Sequence, residues 1–286
     1  MADTAFASVP HEAGSKKPDP ILIADGVTRR FGGLTAVNVD HFEVQRNTIT
    51  ALIGPNGAGK STFFNLLTGF DSAQEGEGQF NGRPLRGMAP AKVARAGMVR
   101  TFQLTKALSR MTVIENMRLG AQEQPGENLL RAFAPPLWKA REREITEQAH
   151  DLLHRFKLYE KRDDYAGSLS GGQRKLLEMA RALMSKPTMV MLDEPMAGVN
   201  PALTESLLDH IVELKEDGMT VLFVEHDMHM VRRISDWVVV MAEGKIIAEG
   251  PAGTVMSNPA VQDAYLGAHH DTDLSELSEL SLEDDA

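Results

Sequence analysis

The chain has 286 residues, 42% apolar and 24% charged, a formal net charge of −10 and no cysteine. That is enough chain for one large α/β domain or two smaller lobes, and it excludes disulfides and thiolate metal sites, in keeping with a reducing compartment. Seven acidic and no basic residues fall in the closing stretch "DTDLSELSELSLEDDA"; the rest is nearly balanced, 33 acidic against 30 basic, so neither part carries the basic footprint of a nucleic-acid binder.

Taken in chain order, residues 1–20 mix Pro, Ala and Lys without periodicity. They read as a mobile arm, and they lack the basic start and apolar block of a signal peptide. Ordered structure is expected from "ILIADGVTRRFGG". "HFEVQRNTITALIG" (41–54) reads as two strands split by a polar turn at Gln45–Asn47. "STFFNLLTGF" reads as a helix ending at Gly69. Short strands are expected around Gln79–Phe80 and over 97–103. Residues 112–160 hold long helical stretches broken at Pro135–Pro136; with their flanks, about 104–186, they read as a helical subdomain inserted into an α/β core. From residue 187 strands and helices alternate through "MVML", "TESLLDHIVELKEDG" and "TVLFV", the pattern of βαβ units in a largely parallel sheet. "WVVVMAEGKIIAEG" reads as a hairpin turning at Glu243–Gly244. No apolar run approaches the length of about 18 residues needed to span a bilayer. Residues 268–286 read as a disordered acidic tail: Leu274, Leu277 and Leu280 recur every three residues, which drifts around a helix.

The chemistry begins at "GPNGAGKST" (54–62). Gly54, Gly59, Lys60 and Ser61 satisfy G-x-x-x-x-G-K-[ST], with Asn56, Gly57 and Thr62 completing the loop. Such a loop turns consecutive backbone N–H groups toward phosphates, and the following helix adds partial positive charge. Lys60 would reach the β- and γ-phosphates and Ser61 would coordinate Mg²⁺. The alternative is a Gly-rich turn with a solvated lysine; the strand-like "TITALI" before it and the helical "TFFNLL" after it weigh against that. "MVMLDEP" delivers two carboxylates at a strand end. Asp193 would hold Mg²⁺ through water, and Glu194 is placed to accept a proton from a water attacking the γ-phosphate. The alternative is a helix-capping acid pair before Pro195; the phosphate loop at 54–62 weighs against it.

Gln103 and His226 also follow strand-like runs, where ligands of parallel sheets gather, so both could meet the γ-phosphate, Gln103 also as an Mg²⁺ contact. Phe31, before two glycines, could stack on a base or be an ordinary core phenylalanine. Finally, "LSGGQRKLLEMARAL" (169–183) places Ser170, Gly171, Gly172 and Gln173 at a second helix N-terminus fit to receive phosphate.

In order and spacing, Gly54–Ser61, Gln103, Leu169–Gln173, Asp193–Glu194 and His226 resemble the ATP-binding cassette (ABC) ATPases, and "LSGGQ" is that family's own signature. The resemblance covers roughly residues 21–267. It implies a phosphate-loop NTPase core with a mixed, largely parallel sheet, an antiparallel β part and the inserted helical subdomain. It implies ATP and Mg²⁺ as cofactors, and Phe31 as the adenine-stacking aromatic. It further implies that two chains pack head to tail, each ATP lying between the Lys60 loop of one and the Ser170–Gln173 turn of the other. "RTFQ", "MTVIENM", "VEHDM", "GKIIAEG" and "NPAVQDAYLG" resemble, more narrowly, the ATPases of branched-chain amino acid importers.

The implied partners are two transmembrane permease subunits, a second and different ABC ATPase chain and, indirectly, an extracytoplasmic solute-binding protein; no nucleic acid is among them. The implied location is peripheral, at the cytoplasmic face of the membrane. Leu104, Leu108, Met111, Val113 and Ile114 then form either a groove for a permease helix or plain subdomain core. Rival functions are an importer of another small solute such as urea or amides, a soluble cassette acting on DNA or the ribosome, and a GTPase. The charge and the absence of a long coiled-coil insertion or second cassette count against the soluble cassette. The absence of N-K-x-D counts against the GTPase.

Overall fold

Strands that are apolar on both faces and strands that alternate fall into different sheets. In the computed structural model, which describes residues 6–101, 108–122 and 135–267, the alternating ones are β1 (Pro20–Phe31), β2 (Leu34–Gln45), β4 (Glu75–Phe80) and β5 (Arg83–Pro84). They pair antiparallel in the order β2-β1-β4-β5. The second sheet comprises β3 (Ile49–Ile53), β6 (Met98–Arg100), β7 (Met189–Asp193), β8 (Thr220–Val224), β9 (Trp237–Ala242) and β10 (Lys245–Gly250). Its order is β10-β9-β3-β8-β7-β6, parallel except for the β9–β10 hairpin.

β3, β7, β8 and β9 are buried at every residue, as strands covered on both faces must be. The two-residue period then sorts their side chains. Ile49, Ala51 and Ile53 join Val190, Leu192, Val238 and Val240 in a core shared with the helices, while Leu52 joins Met189, Met191, Trp237 and Val239 in a core shared with the antiparallel sheet.

The turns fall where the sequence puts them. β2 ends at Gln45 and Asn47 takes φ +55°; Glu243 and Gly244 both take positive φ, as a tight hairpin needs. α1 (Lys60–Leu67) is followed by Gly69 at φ +74°. The strand expected over 97–103 is shorter, although Thr101 N–H still donates to Met191 O at 2.9 Å.

The α-helices after α1 are α2 (Pro90–Arg95), α3 (Val113–Arg118), α4 (Pro135–Arg155), α5 (Gly171–Leu183), α6 (Pro201–Glu216), α7 (Met228–Ile234), α8 (Ala252–Met256) and α9 (Pro259–Gly267). Pro135 opens α4 rather than breaking it, because a first-turn residue needs no intrahelical N–H donor. Ile145, Ala149 and Leu153, four residues apart on α4, are buried against α3 and α5.

The N-terminal segment differs from the mobile arm expected of it. Phe6 and Val9 are buried, and Phe6 stacks on Trp237 of β9 at 4.5 Å. Lys17 Nζ lies 2.6 Å from Glu249 Oε2 of β10, with both side chains almost wholly buried, and Trp237 Nε1 donates to the same oxygen at 2.9 Å. Burial pushes the Lys17 ammonium pKa down, and Glu249 draws it back up. Two apolar residues make no periodicity, and their partners lie more than 200 residues away, so local pattern could not reveal this.

Candidate nucleotide site

The phosphate loop leaves the C-terminal end of β3, which lies between β8 and β9. Its backbone path requires glycine twice. A Cβ on Gly54 (φ +150°) would fall 2.0 Å from Met241 O, and one on Gly59 (φ +100°) 2.3 Å from Ala36 O. The β9–β10 turn pins the loop through Gly244 N–H to Ala58 O at 2.9 Å. Asn56, Gly57 and Ser61 are exposed, Thr62 is half-buried, and no side chain caps the N-terminus of α1 at Gly59. The first N–H groups of α1 are therefore left for a ligand. Lys60 is buried, its Nζ donating to Gly54 O at 2.6 Å and Pro55 O at 3.0 Å. Burial pushes its pKa down, while the carboxylates of Glu194 and Asp193 pull it up, so both acids lie in its field.

Asp193 ends β7. Arg100, at the end of neighbouring β6, meets Asp193 Oδ2 at 2.6 Å and Asn65 Oδ1 of α1 at 2.7 Å. The Ser61 hydroxyl and the Asp193 carboxylate are hard oxygen donors and fit Mg²⁺ in kind. Gln103, the third expected Mg²⁺ contact, and Leu104 lie outside the described residues.

Glu194 is no helix-capping acid. It takes φ +47°, the left-handed region, directly after β7. Its N–H donates to Val224 O of β8 at 3.0 Å, and its carbonyl accepts from Lys175 Nζ of α5 at 3.1 Å. Its Oε1 lies 3.5 Å from His226 Nε2, which is half-exposed. Phe31 is 49% exposed at the end of β1, with the Arg29 guanidinium 4.6 Å from its ring centroid, so it is not a core phenylalanine.

The second turn is a capping box: Ser170 Oγ accepts from Gln173 N–H at 3.3 Å, and Ser170 N–H donates to Gln173 Oε1 at 3.0 Å. Ser170 and Gly171 are exposed, while Gly172 is buried against Val199 and Leu203. Sequence reasoning assigned no role to Arg100, Lys175 or Glu225. Arg100 carried one signal, a cation at the end of a strand-like run, but its partner follows from β6 lying beside β7.

A parallel sheet with a phosphate loop on inner strand β3 and an acid pair at the end of β7, one strand beyond its neighbour β8, defines a phosphate-loop nucleotide-binding protein. Residues 37–197 match the ABC transporter family, and residues 245–271 match the branched-chain amino acid ATP-binding cassette transporter family. A probable branched-chain amino acid transport ATP-binding protein LivG of Archaeoglobus fulgidus is 43% identical over 248 residues, spanning 87% of this chain and 96% of the relative. The high-affinity branched-chain amino acid transport ATP-binding protein BraF of Pseudomonas aeruginosa is 42% identical over 250 residues, 87% of this chain and 98% of the relative. Among solved structures, a nucleotide-free ATP-binding cassette from an ABC transporter matches with TM-score 0.75 at 40% identity, over 86% of this chain and 98% of that one. The ADP conformation of an ATP-binding cassette of an ABC transporter matches with TM-score 0.75 at 38% identity, over 87% and 99%. The chain belongs to the ABC transporter family and is an ATP-binding cassette ATPase.

Proposed function

We propose that this chain is the ATP-hydrolysing subunit of an importer of branched-chain amino acids, driving permease subunits contributed by other chains. The observation that carries the ATPase chemistry is Glu194, held in a left-handed turn 3.5 Å from His226 and within the field of buried Lys60. Lys60 and the loop N–H groups bind the β- and γ-phosphates. Phe31 stacks on the adenine. Ser61 and Asp193, with Gln103, would hold Mg²⁺, which when bound neutralises charge on the phosphates. Glu194 takes the proton of the attacking water and His226 orients the γ-phosphate. Ser170, Gly171, Gly172 and Gln173 serve the nucleotide of a second cassette packed head to tail, which the exposure of Ser170 and Gly171 at the head of α5 permits.

The choice of solute rests on the match over residues 245–271 and on what the relatives are named for. Among the described residues no helix is long and apolar enough to cross a membrane, which fits a peripheral subunit at the cytoplasmic face with the pore in other chains. Val113 is buried and Ile114 packs on the core, but Leu108 and Tyr165 are exposed. They sit on paired segments, joined by Gly167 N–H to Ser109 O at 3.1 Å, and are the favoured permease contact.

Glu194→Gln tests the chemistry. It should leave ATP affinity within threefold and lower turnover by ~10²–10⁴, the usual worth of a general base. Wild-type turnover would remove the base assignment. Uptake by the reconstituted complex, leucine against urea, tests the solute.

A further inference from the structure

Glu225 lies one residue past β8 and is 4% exposed, yet it contributes nothing to the chemistry above. One of its carboxylate oxygens reaches across to the chain leaving β7, and the other turns back to the next residue of its own segment. Oε1 accepts Met196 N–H at 2.9 Å, and Oε2 accepts the N–H of His226 at 3.3 Å. Met196 comes two residues after Glu194, whose own N–H is bonded to Val224 O at 3.0 Å. The chain leaving β7 is thus stitched to the end of β8 on either side of the Glu194 side chain, once by main chain and once by Glu225.

We propose that Glu225 is a positioning residue for ATP hydrolysis, one carboxylate holding together the segment that carries Glu194 and the segment that carries His226. The proposal rests on the reading of Glu194 as general base. A left-handed backbone at a non-glycine residue persists only where the surroundings over-determine it. At Glu194 the surroundings are the Val224 carbonyl, Lys175 and, through Met196, Glu225. Burying a carboxylate costs desolvation that two neutral N–H donors offset only in part, so an acid here is weak as a stability device. Burial does push the Glu225 pKa up, the two N–H donors pulling against it. What the acid does provide is two acceptors on one rigid plane, matched to two N–H groups on adjacent strand ends. Met196 also leads into Gly198 and Val199, which lie against Gly171 and Gly172 at the head of α5. The same stitch therefore fixes the turn that supports the second phosphate-receiving loop.

The test compares Glu225→Ala and Glu225→Gln in the full-length chain, reading kcat, KM and the Kd of a fluorescent ATP analogue. With Ala, kcat should fall about 10- to 100-fold, the cost of misplacing a catalytic group by roughly 1 Å, with KM and Kd within threefold. Gln keeps one acceptor oxygen and should lose more than threefold but less than Ala. An Ala variant within threefold of wild-type kcat, or one whose defect lies in Kd, overturns the proposal. If Ala does not fold, Gln decides: a kcat loss above threefold at unchanged Kd supports the role, and wild-type kcat overturns it. Glu194→Gln is run beside them. Normal turnover there removes the base reading whatever Glu225 does, whereas an unaffected Glu225→Ala beside a crippled Glu194→Gln removes only the positioning role.

Discussion

At the scale of single residues, the site is organised by where charge is buried. Lys60 holds its ammonium against the carbonyls of its own loop, Gly54 and Pro55, with Asp193 and Glu194 close enough to oppose the desolvation. A phosphate chain would offer the same ammonium a stronger acceptor than two neutral carbonyls. Lys60→Ala should therefore weaken ATP binding about ten- to hundredfold, the equivalent of a charge-assisted contact of roughly 1.5–3 kcal/mol. Isothermal titration with the isolated chain measures this, and an unchanged Kd would place the phosphates elsewhere. Arg100 acts differently. Through Asp193 and Asn65 it ties the ends of β7 and α1 together, setting one acid of the site relative to the phosphate loop.

At the scale of elements, the N-terminal segment joins pieces that are far apart in the chain. Lys17 Nζ pairs with Glu249 of β10 while its N–H donates to Glu43 of β2, so one residue bridges the two sheets. Breaking one partner of a buried pair leaves an uncompensated charge. Lys17→Met should destabilise the fold by about 3–5 kcal/mol, and the double variant with Glu249→Gln should recover part of that. Urea denaturation of the two variants checks it; a single variant as stable as wild type would mean that the segment merely rests on the sheet. ATP affinity should stay unchanged, since the pair lies apart from the phosphate loop's own bonds to the β9–β10 turn.

At the scale of the whole molecule, one chain presents two loops proposed to receive phosphate, with different local settings. The Lys60 loop is backed by buried Asp193 and partly buried Glu194; at the Ser170 turn Ser170 and Gly171 are exposed and a capping box closes the helix end. If the second turn serves a partner's nucleotide, Ser170→Arg should leave monomer ATP affinity within twofold but block ATP-driven closure. A forced dimer of Ser170→Arg and Lys60→Ala chains puts both lesions in one site and leaves the other intact, so it should hydrolyse ATP where neither homodimer does. Should the natural partner be a different cassette, rescue requires that second chain. A tenfold loss of affinity in monomeric Ser170→Arg would instead put both loops on one ATP.

What the sequence by itself determined is the chemistry written within a few consecutive residues. Phosphate binding by a turn of N–H groups needs glycines, a lysine and a hydroxyl at fixed spacing, so the loop from Gly54 to Thr62 was legible. So were Asp193 and Glu194 at the end of an apolar strand, and the hairpin at Glu243–Gly244. Periodicity also separated the buried parallel strands from the helices that lie between β6 and β7. The acidic tail and Gln103 lie outside the described residues. Only the tertiary structure decided which distant groups meet. Arg100 reaches Asp193, and Glu225 reaches Met196, because β6, β7 and β8 lie side by side although α3, α4 and α5 separate β6 from β7 in the chain. The half-exposure of Phe31 and the burial of Phe6, Val9 and Lys17 likewise depend on what covers them. Local pattern encodes which face of an element is apolar and which backbone turns are allowed. Lateral strand order and long-range burial arise only when those faces compete to cover one another, and they set the partners of Arg100, Asp193 and Glu194.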